Sequence, residues 1–195
     1  PTTASALVAD AAPYSDVPTT HTFAGYIAYC QKEGIISGYA DGTFRPANSL
    51  TGYAFMKMLL GALGYDAEVE QYTGANWSIN VAKRALNIGL DDDLVGDFNG
   101  IKAVNCEEAC LYALNTLTAD MVEYDAKTTV STNGTTVVIA GSKAKEMVNN
   151  GNTDGKVFDK DGVMQFAEKY FEDLTVKTGS DDFARPANVW KLKAE

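Results

Sequence analysis

Apolar residues follow two different rhythms along this chain. Through the first two thirds they recur every three or four positions, the spacing that gives a helix one buried stripe. Phe23, Tyr26, Ile27 and Cys30 form the first such run, stopped by Gly34. Phe55, Met58, Leu59 and Ala62 form the second, opened by Thr51 and closed by Gly64. Trp77, Val81, Ala82, Ala85 and Leu86 form a third, stopped by Gly89, and Ala109, Tyr112, Ala113 and Leu117 a fourth, opened by Asn105. Phe23, Ile27, Phe55, Leu59, Val81, Leu86, Tyr112 and Leu117 are the core positions this spacing predicts.

From about residue 126 the pattern changes. Thr128 to Thr132 and Thr135 to Ile139 are rich in β-branched residues and meet at Asn133-Gly134, a strong hairpin signal. Val163, Phe166, Ala167, Tyr170, Phe171 and Leu174 predict an amphipathic helix, and Asp181 to Pro186 reads as an exit segment, with Trp190 in need of a pocket. A single hairpin is marginal alone, so it is expected to rest on helices.

The four helical runs are two copies of one unit. Gly34 and Gly89 are 55 apart, while Phe44 and Phe98, like Thr51 and Asn105, are 54 apart. Such a period marks units that need a neighbour to cover their apolar faces. The expected fold class is therefore mainly α: two helix-loop-helix repeats packed as a helical bundle, followed by a small α+β segment with a β-hairpin. The corresponding boundaries are a linker over 1–13, repeats over 14–66 and 67–124, and the α+β segment over 125–195.

Between its two helices the first copy reads Gly34-Ile35-Ile36-Ser37-Gly38-Tyr39-Ala40-Asp41-Gly42-Thr43-Phe44-Arg45-Pro46, and Tyr14-Ser15-Asp16-Val17-Pro18 precedes it. This resembles the S-layer homology family, modules that hold bacterial surface proteins on the cell wall. The resemblance covers about residues 14–118. It implies a noncatalytic cell-surface module, outside the membrane, whose partner is a secondary cell-wall polysaccharide or peptidoglycan-linked polymer. It also implies a site arginine in an Ile-Thr-Arg-Ala-Glu motif, suited to gripping a pyruvate carboxylate. Here Leu50-Thr51-Gly52-Tyr53-Ala54 and Val104-Asn105-Cys106-Glu107-Glu108 fill that motif, so Gly52 and Cys106 stand where the family keeps arginine. Asn105 and Glu108 retain a reciprocal capping box, whereas Thr51 with Ala54 retains only the cap. The alternative is a degenerate pair of repeats, serving as a structural spacer or contacting other surface proteins without wall binding. SLH assemblies usually use three units, and the last third either fills the third place with different structure or leads to a further domain.

Composition narrows the partners. A net charge of −10 over 195 residues argues against nucleic acid and against an anionic membrane surface. No apolar run is long enough for membrane insertion. Ala4-Ser5-Ala6 has the small-x-small shape of a signal-peptidase site, and reads equally well as a small-residue linker. Cys30, Cys106 and Cys110 are an odd set that makes no disulfide framework, and with a single histidine neither a zinc site nor a catalytic set can be assembled.

The candidate polysaccharide-binding residues are Arg45, Lys57, Trp77 and His21: two cations, an indole that can stack on a pyranose ring, and a histidine at helix entry. Against these stands the ordinary reading, with Trp77 as core and His21 as a structural residue. Asn150, Asn152, Asp154 and Asp161 have the spacing of a calcium loop resembling that of dockerin modules. A polar surface loop uses the same residue types, so no cofactor other than that calcium is expected.

Overall fold

The computed structural model describes residues 12–125, 143–149, 162–171 and 173–192, together with the backbone of 128–132 and 135–139. The described elements are helices α1 (Ala24–Lys32), α2 (Gly52–Ala62), α3 (Trp77–Asn87), α4 (Cys106–Thr118) and α5 (Phe166–Tyr170), with strands β1 (Val122–Glu123), β2 (Thr128–Thr132), β3 (Thr135–Ile139), β4 (Lys145–Glu146), β5 (Leu174–Ser180) and β6 (Pro186–Leu192). The strands pair antiparallel as β1 with β4, β2 with β3 and β5 with β6. The described part is thus α+β rather than mainly α: helices and loops up to residue 118, then short two-stranded ribbons and the short helix α5.

The repeat is written in the backbone. Gly34 and Gly89 both close their helices at φ +73°, and the amides of Ile35 and Leu90 both reach back to the carbonyl five residues earlier, in Cys30 and Ala85. Thr51 and Asn105 both cap in extended conformation, and each side chain accepts the amide of the residue three further on. Asn105 and Glu108 complete the capping box, at 2.8 and 3.0 Å.

The helices pair differently from a simple stacking of two units. α2 packs on α3 and α4 around Met56, Leu60, Leu63, Tyr65, Tyr72, Val81, Ala85, Leu90 and Tyr112. α1 instead closes a separate small cluster, in which Ala24 and Ile27 meet Tyr14 and Val17, with Ile36 and Phe44 against them. Of the expected core, Ile27, Val81 and Tyr112 are buried, and Phe55, Leu59 and Leu117 are half-buried. Phe23 and Leu86 are exposed, which corrects the sequence expectation. Phe23 precedes the first turn of α1, and α3 turns its smaller Val81–Ala85 face inward, leaving Leu86 outside the contact. In α2 the buried stripe runs Gly52, Met56, Leu60, one position away from the expected Phe55–Met58–Leu59 face. That helix is apolar nearly all round, so spacing alone does not select its inner face. Each fully buried leucine there contributes about 1.5–3 kcal/mol.

The last third joins this body. Met121 and Val122 lie in the main core, and the Val122 amide donates to the Leu63 carbonyl at 2.9 Å. Three strand-like segments lace together through Met147 N–H to Met121 O and Met164 N–H to Met147 O. This lacing shortens the helix expected over 163–174 to Phe166–Tyr170, because Val163 bridges Val148 and Leu174 opens β5. The β2–β3 register brings Thr132 opposite Thr135, as a hairpin at 133–134 requires, although the two turn residues lie outside the described set. The segment read as an exit, Asp181 to Pro186, is the turn between β5 and β6. There Asp181 accepts the amides of Phe183 and Arg185, both at 2.9 Å, and Trp190 packs beside Ala167, Leu174 and Leu117.

Gly64 is where the helical body meets β1. It has φ +99°, and a Cβ there would collide with the Val122 carbonyl. Gly64→Ala is expected to destabilise the chain by at least about 1 kcal/mol, because it adds strain and a backbone clash together. Urea denaturation would measure this, and an unchanged midpoint would contradict the described packing of β1 on α2.

Candidate functional site

The first loop is organised by two carboxylates. Asp16 accepts the backbone amides of Phe44 at 2.8 Å and Arg45 at 2.7 Å, tying the segment before α1 to the segment before α2. Asp41 accepts from the Thr43 amide and hydroxyl and from Arg45 Nη2, the last at 2.7 Å. Hydrogen bonds from Thr43 and then Arg45 hold the Asp41 carboxyl down to about 2, and the Phe44 amide chiefly lowers that of Asp16. Tyr14 stacks on Phe44 with ring centres 5.3 Å apart, and Gly38 must lack a side chain because a Cβ would strike the Tyr14 ring.

Arg45 is exposed, but its side chain is engaged within this loop. Its guanidinium bonds Asp41 and the Thr43 hydroxyl and lies 4.1 Å from the centre of the Tyr39 ring, and its backbone adopts φ +60°. His21 is likewise occupied locally, with Nδ1 accepting the Phe23 amide at 3.2 Å just before α1. Lys57 and Trp77 do come together. Lys57 Nζ lies 5.6 Å from the centre of the indole, and burial lowers its affinity for a proton. Tyr53, one turn before Lys57, sets its ring edge-on to Trp77 at 6.3 Å and to Phe98 at 5.9 Å. Sequence spacing makes Tyr53 legible as a neighbour of Lys57, but the approach of Phe98 depends on the second loop.

That second loop closes the first motif position. The Gly52 amide donates to the Lys102 carbonyl at 3.0 Å and the Tyr53 amide to the Gly100 carbonyl at 2.8 Å. Val104 N–H donates to the Leu50 carbonyl, and Thr51 bridges Ala103. Gly52 is buried, and a Cβ there would lie 3.0 Å from the Asn99 oxygen and the Gly100 Cα and 3.2 Å from the Phe98 ring. The equivalent Cys106 is exposed at the start of α4, where Lys102 Nζ approaches Glu108 at 3.2 Å. The two motif positions therefore differ in kind, one sealed by its neighbour and one open.

The proposed calcium residues Asn150, Asn152, Asp154 and Asp161 lie outside the described residues. In the acidic second loop Asp92, Asp93 and Asp97 are exposed, and Asn115 Nδ2 binds the carbonyls of Leu90 and Asp92 at 3.2 and 2.9 Å. Among the described residues no three histidine, cysteine or carboxylate side chains gather as metal ligands, and no helix is long and apolar enough to cross a membrane.

Residues 13–52 match the S-layer homology domain. The chain is 37% identical over 57 residues to the middle cell wall protein of Brevibacillus brevis, covering 29% of this chain and 5% of that protein. It is 40% identical over 50 residues to cell surface glycoprotein 1 of Acetivibrio thermocellus, covering 26% of this chain and 2% of the relative. An endoglucanase of a Bacillus species aligns over 95% of this chain and 21% of its own length, at 25% identity. The chain thus spans about a twentieth of the length of the first curated relatives it matches. No solved structure matches it. S-layer homology domains are noncatalytic modules that generally anchor surface proteins to the cell wall.

The carboxylate ties of the first loop give it a defined pH response. A carboxyl held below its ordinary value of 3.8 contributes fully above that value and loses its contribution as pH falls towards about 2. The Thr43 amide resonance, which reports Asp41, is expected to move as pH falls from about 4 towards about 2, and the Phe44 and Arg45 amides, which report Asp16, to move only below the ordinary value of 3.8. Proton–nitrogen spectra across that range check this; a transition centred at or above 3.8 would contradict the Asp16 and Asp41 assignments.

Proposed function

We propose, from the premise that residues 13–52 are an S-layer homology domain, that this chain is a noncatalytic module of a bacterial cell-surface protein that holds or orients it on cell-wall polysaccharide. The observation that carries the reading is the matched segment itself, folded into a loop whose ends are fixed by Asp16 and whose tip is fixed by Asp41. The described pairing of Lys57 with Trp77 supplies a cation and an aromatic face on neighbouring helices. A sugar ring stacked on the indole, with a polar substituent towards Lys57, is the contact such a pair offers.

The grip is expected to be weak. Gly52 offers no charge and lies tight against the second loop, and Cys106 is open but uncharged. Lack of a bidentate guanidinium–carboxylate pair removes a few kcal/mol, on the order of a hundredfold in affinity. A second reading, a spacer or protein-contact module, draws on the same sealed Gly52 position. It differs from the first in requiring no glycan at all.

Sedimentation with purified wall sacculi separates the readings. The wild-type chain is expected in the pellet only at high sacculus concentration, on the order of a hundredfold above that needed by an arginine-bearing S-layer homology control. Trp77→Ala should abolish this residue of binding, and Cys106→Arg should strengthen it. Gly52→Arg should instead lower thermal stability, because the new side chain enters a backbone contact. Wild type wholly in the supernatant, with the control pelleted, overturns wall holding and leaves the spacer reading.

A further inference from the structure

Helix α4 leaves one side open. Tyr112 and Thr116 are buried in the body, Asn115 binds the Leu90 and Asp92 carbonyls of the second loop, and Leu117 packs against Ala167 and Leu174. The start of the helix is fixed by the capping box between Asn105 and Glu108. Away from these contacts Cys106, Cys110 and Leu114 recur every fourth residue along one side, and all three are exposed, Leu114 by 43%. Ala113 is exposed beside them, and Glu107 supplies a charge at the margin. This stripe lies outside the matched residues 13–52.

Two exposed thiols on one helix side call for an explanation in this setting. S-layer homology domains belong to proteins of the cell surface, outside the reducing cytosol, where exposed thiols are drawn into disulfides. Cys106 and Cys110 do not close on each other. Side chains four apart on a helix hold their Cβ atoms about 5–6 Å apart, whereas a disulfide needs about 3.5–4.5 Å. Cys30 is half-buried in α1, and burial pushes its thiol up, which lowers its reactivity. The two thiols of α4 therefore face another molecule.

We propose that α4 is a contact between two copies of this chain, crossing antiparallel at Cys110 and sealed there by a disulfide between the two Cys110 side chains. The stripe is its own complement about that residue, because a two-fold axis at Cys110 sets Cys106 of one copy against Leu114 of the other. Rows of every fourth residue interlock at a crossing of about 50°, which confines the contact to about one turn on either side of Cys110, the length of this stripe. Charge fits a second copy as well. Glu107 falls opposite Ala113, and the two Glu107 carboxylates lie on opposite sides of the crossing, about 9 Å apart along the axis and so about one screening length at physiological salt. A single crossing is a small contact, so the disulfide is what holds it. The oxidant is a low-molecular-weight disulfide. One Cys110 thiolate attacks it, releases one small thiol and leaves a mixed disulfide. The second copy's Cys110 thiolate then attacks the Cys110 sulfur and releases the other small thiol. Two protein thiols are oxidised, one small disulfide is reduced, and the two protons end on the released thiols. Neither Trp77 nor Lys57 takes part, so this link and the sedimentation result are separable.

The test uses the whole chain, reduced, freed of reductant and mixed with oxidised glutathione, with dimer followed by non-reducing electrophoresis. Cleavage after Glu107 and Glu108 separates the two cysteines, so the masses of the linked peptides identify which thiols have joined. A link between the two Cys110 side chains is expected to dominate, to survive Cys106→Ser and to vanish with Cys110→Ser. Leu114→Glu removes no thiol but seats a carboxylate against Cys106 of the second copy, and should slow the link at least about tenfold. Glutathione adducts without dimer overturn the proposal. So do links through Cys106 as frequent as those through Cys110, or a rate of linking that Leu114→Glu leaves unchanged.

Discussion

The start of α2 governs how the helical part of this molecule is put together. A helix exposes unpaired amides in its first turn, and those of Gly52 and Tyr53 are taken up by the Lys102 and Gly100 carbonyls of the second loop. Thr51 adds its hydroxyl to the Ala54 amide at 3.4 Å. The approach is close: a Cβ at Gly100 would strike the Tyr53 ring, and one at Gly52 would press on Phe98 and on the backbone of Asn99 and Gly100 at 3.0–3.2 Å. One repeat is thereby locked to the next through backbone, and the aromatic set of Tyr53, Trp77, Phe98, Tyr112 and Phe55 follows from that registration.

The same contact separates fold from binding. The position where the resembling family carries arginine is here the site of interlock, so stability and ligand grip compete for one residue. In this chain packing occupies it. The remaining polar chemistry lies on α3, at Trp77 near Lys57 and at Arg84 paired with Glu70, where side chains extend from a rigid helix. The first loop, by contrast, spends its cation internally. Arg45 holds Asp41 and covers Tyr39, which stabilises a left-handed backbone at a residue that has a side chain.

Much of this architecture was legible from residue types and spacing. Helix ends at Gly34, Gly64 and Gly89, caps at Thr51 and Asn105, the capping box to Glu108 and the 128–139 ribbon all rest on local chemistry. What escaped was decided by distant partners. The inner face of α2 was ambiguous because both of its stripes are apolar. The helix over 163–174 was overestimated because Val163 and Met164 pair with residues some fifteen positions earlier. The β5–β6 ribbon was missed because Asp181-Asp182-Phe183-Ala184-Arg185 makes a turn through side-chain bonds from Asp181 rather than through glycine. At the site, the Lys57–Trp77 meeting follows α2–α3 packing, while the Glu70–Tyr124 bond behind Arg84 spans 54 positions and carries no local signal.

The central claim is that the second loop seals the first turn of α2. Native-state hydrogen exchange at the Gly52 and Tyr53 amides tests it most directly, because first-turn amides exchange freely unless something outside the helix accepts them. The account predicts that both exchange as slowly as the Leu60 amide in the interior of the same helix, through opening of the whole helical body. Exchange at the rate of an exposed loop, with Leu60 still protected, would contradict the interlock.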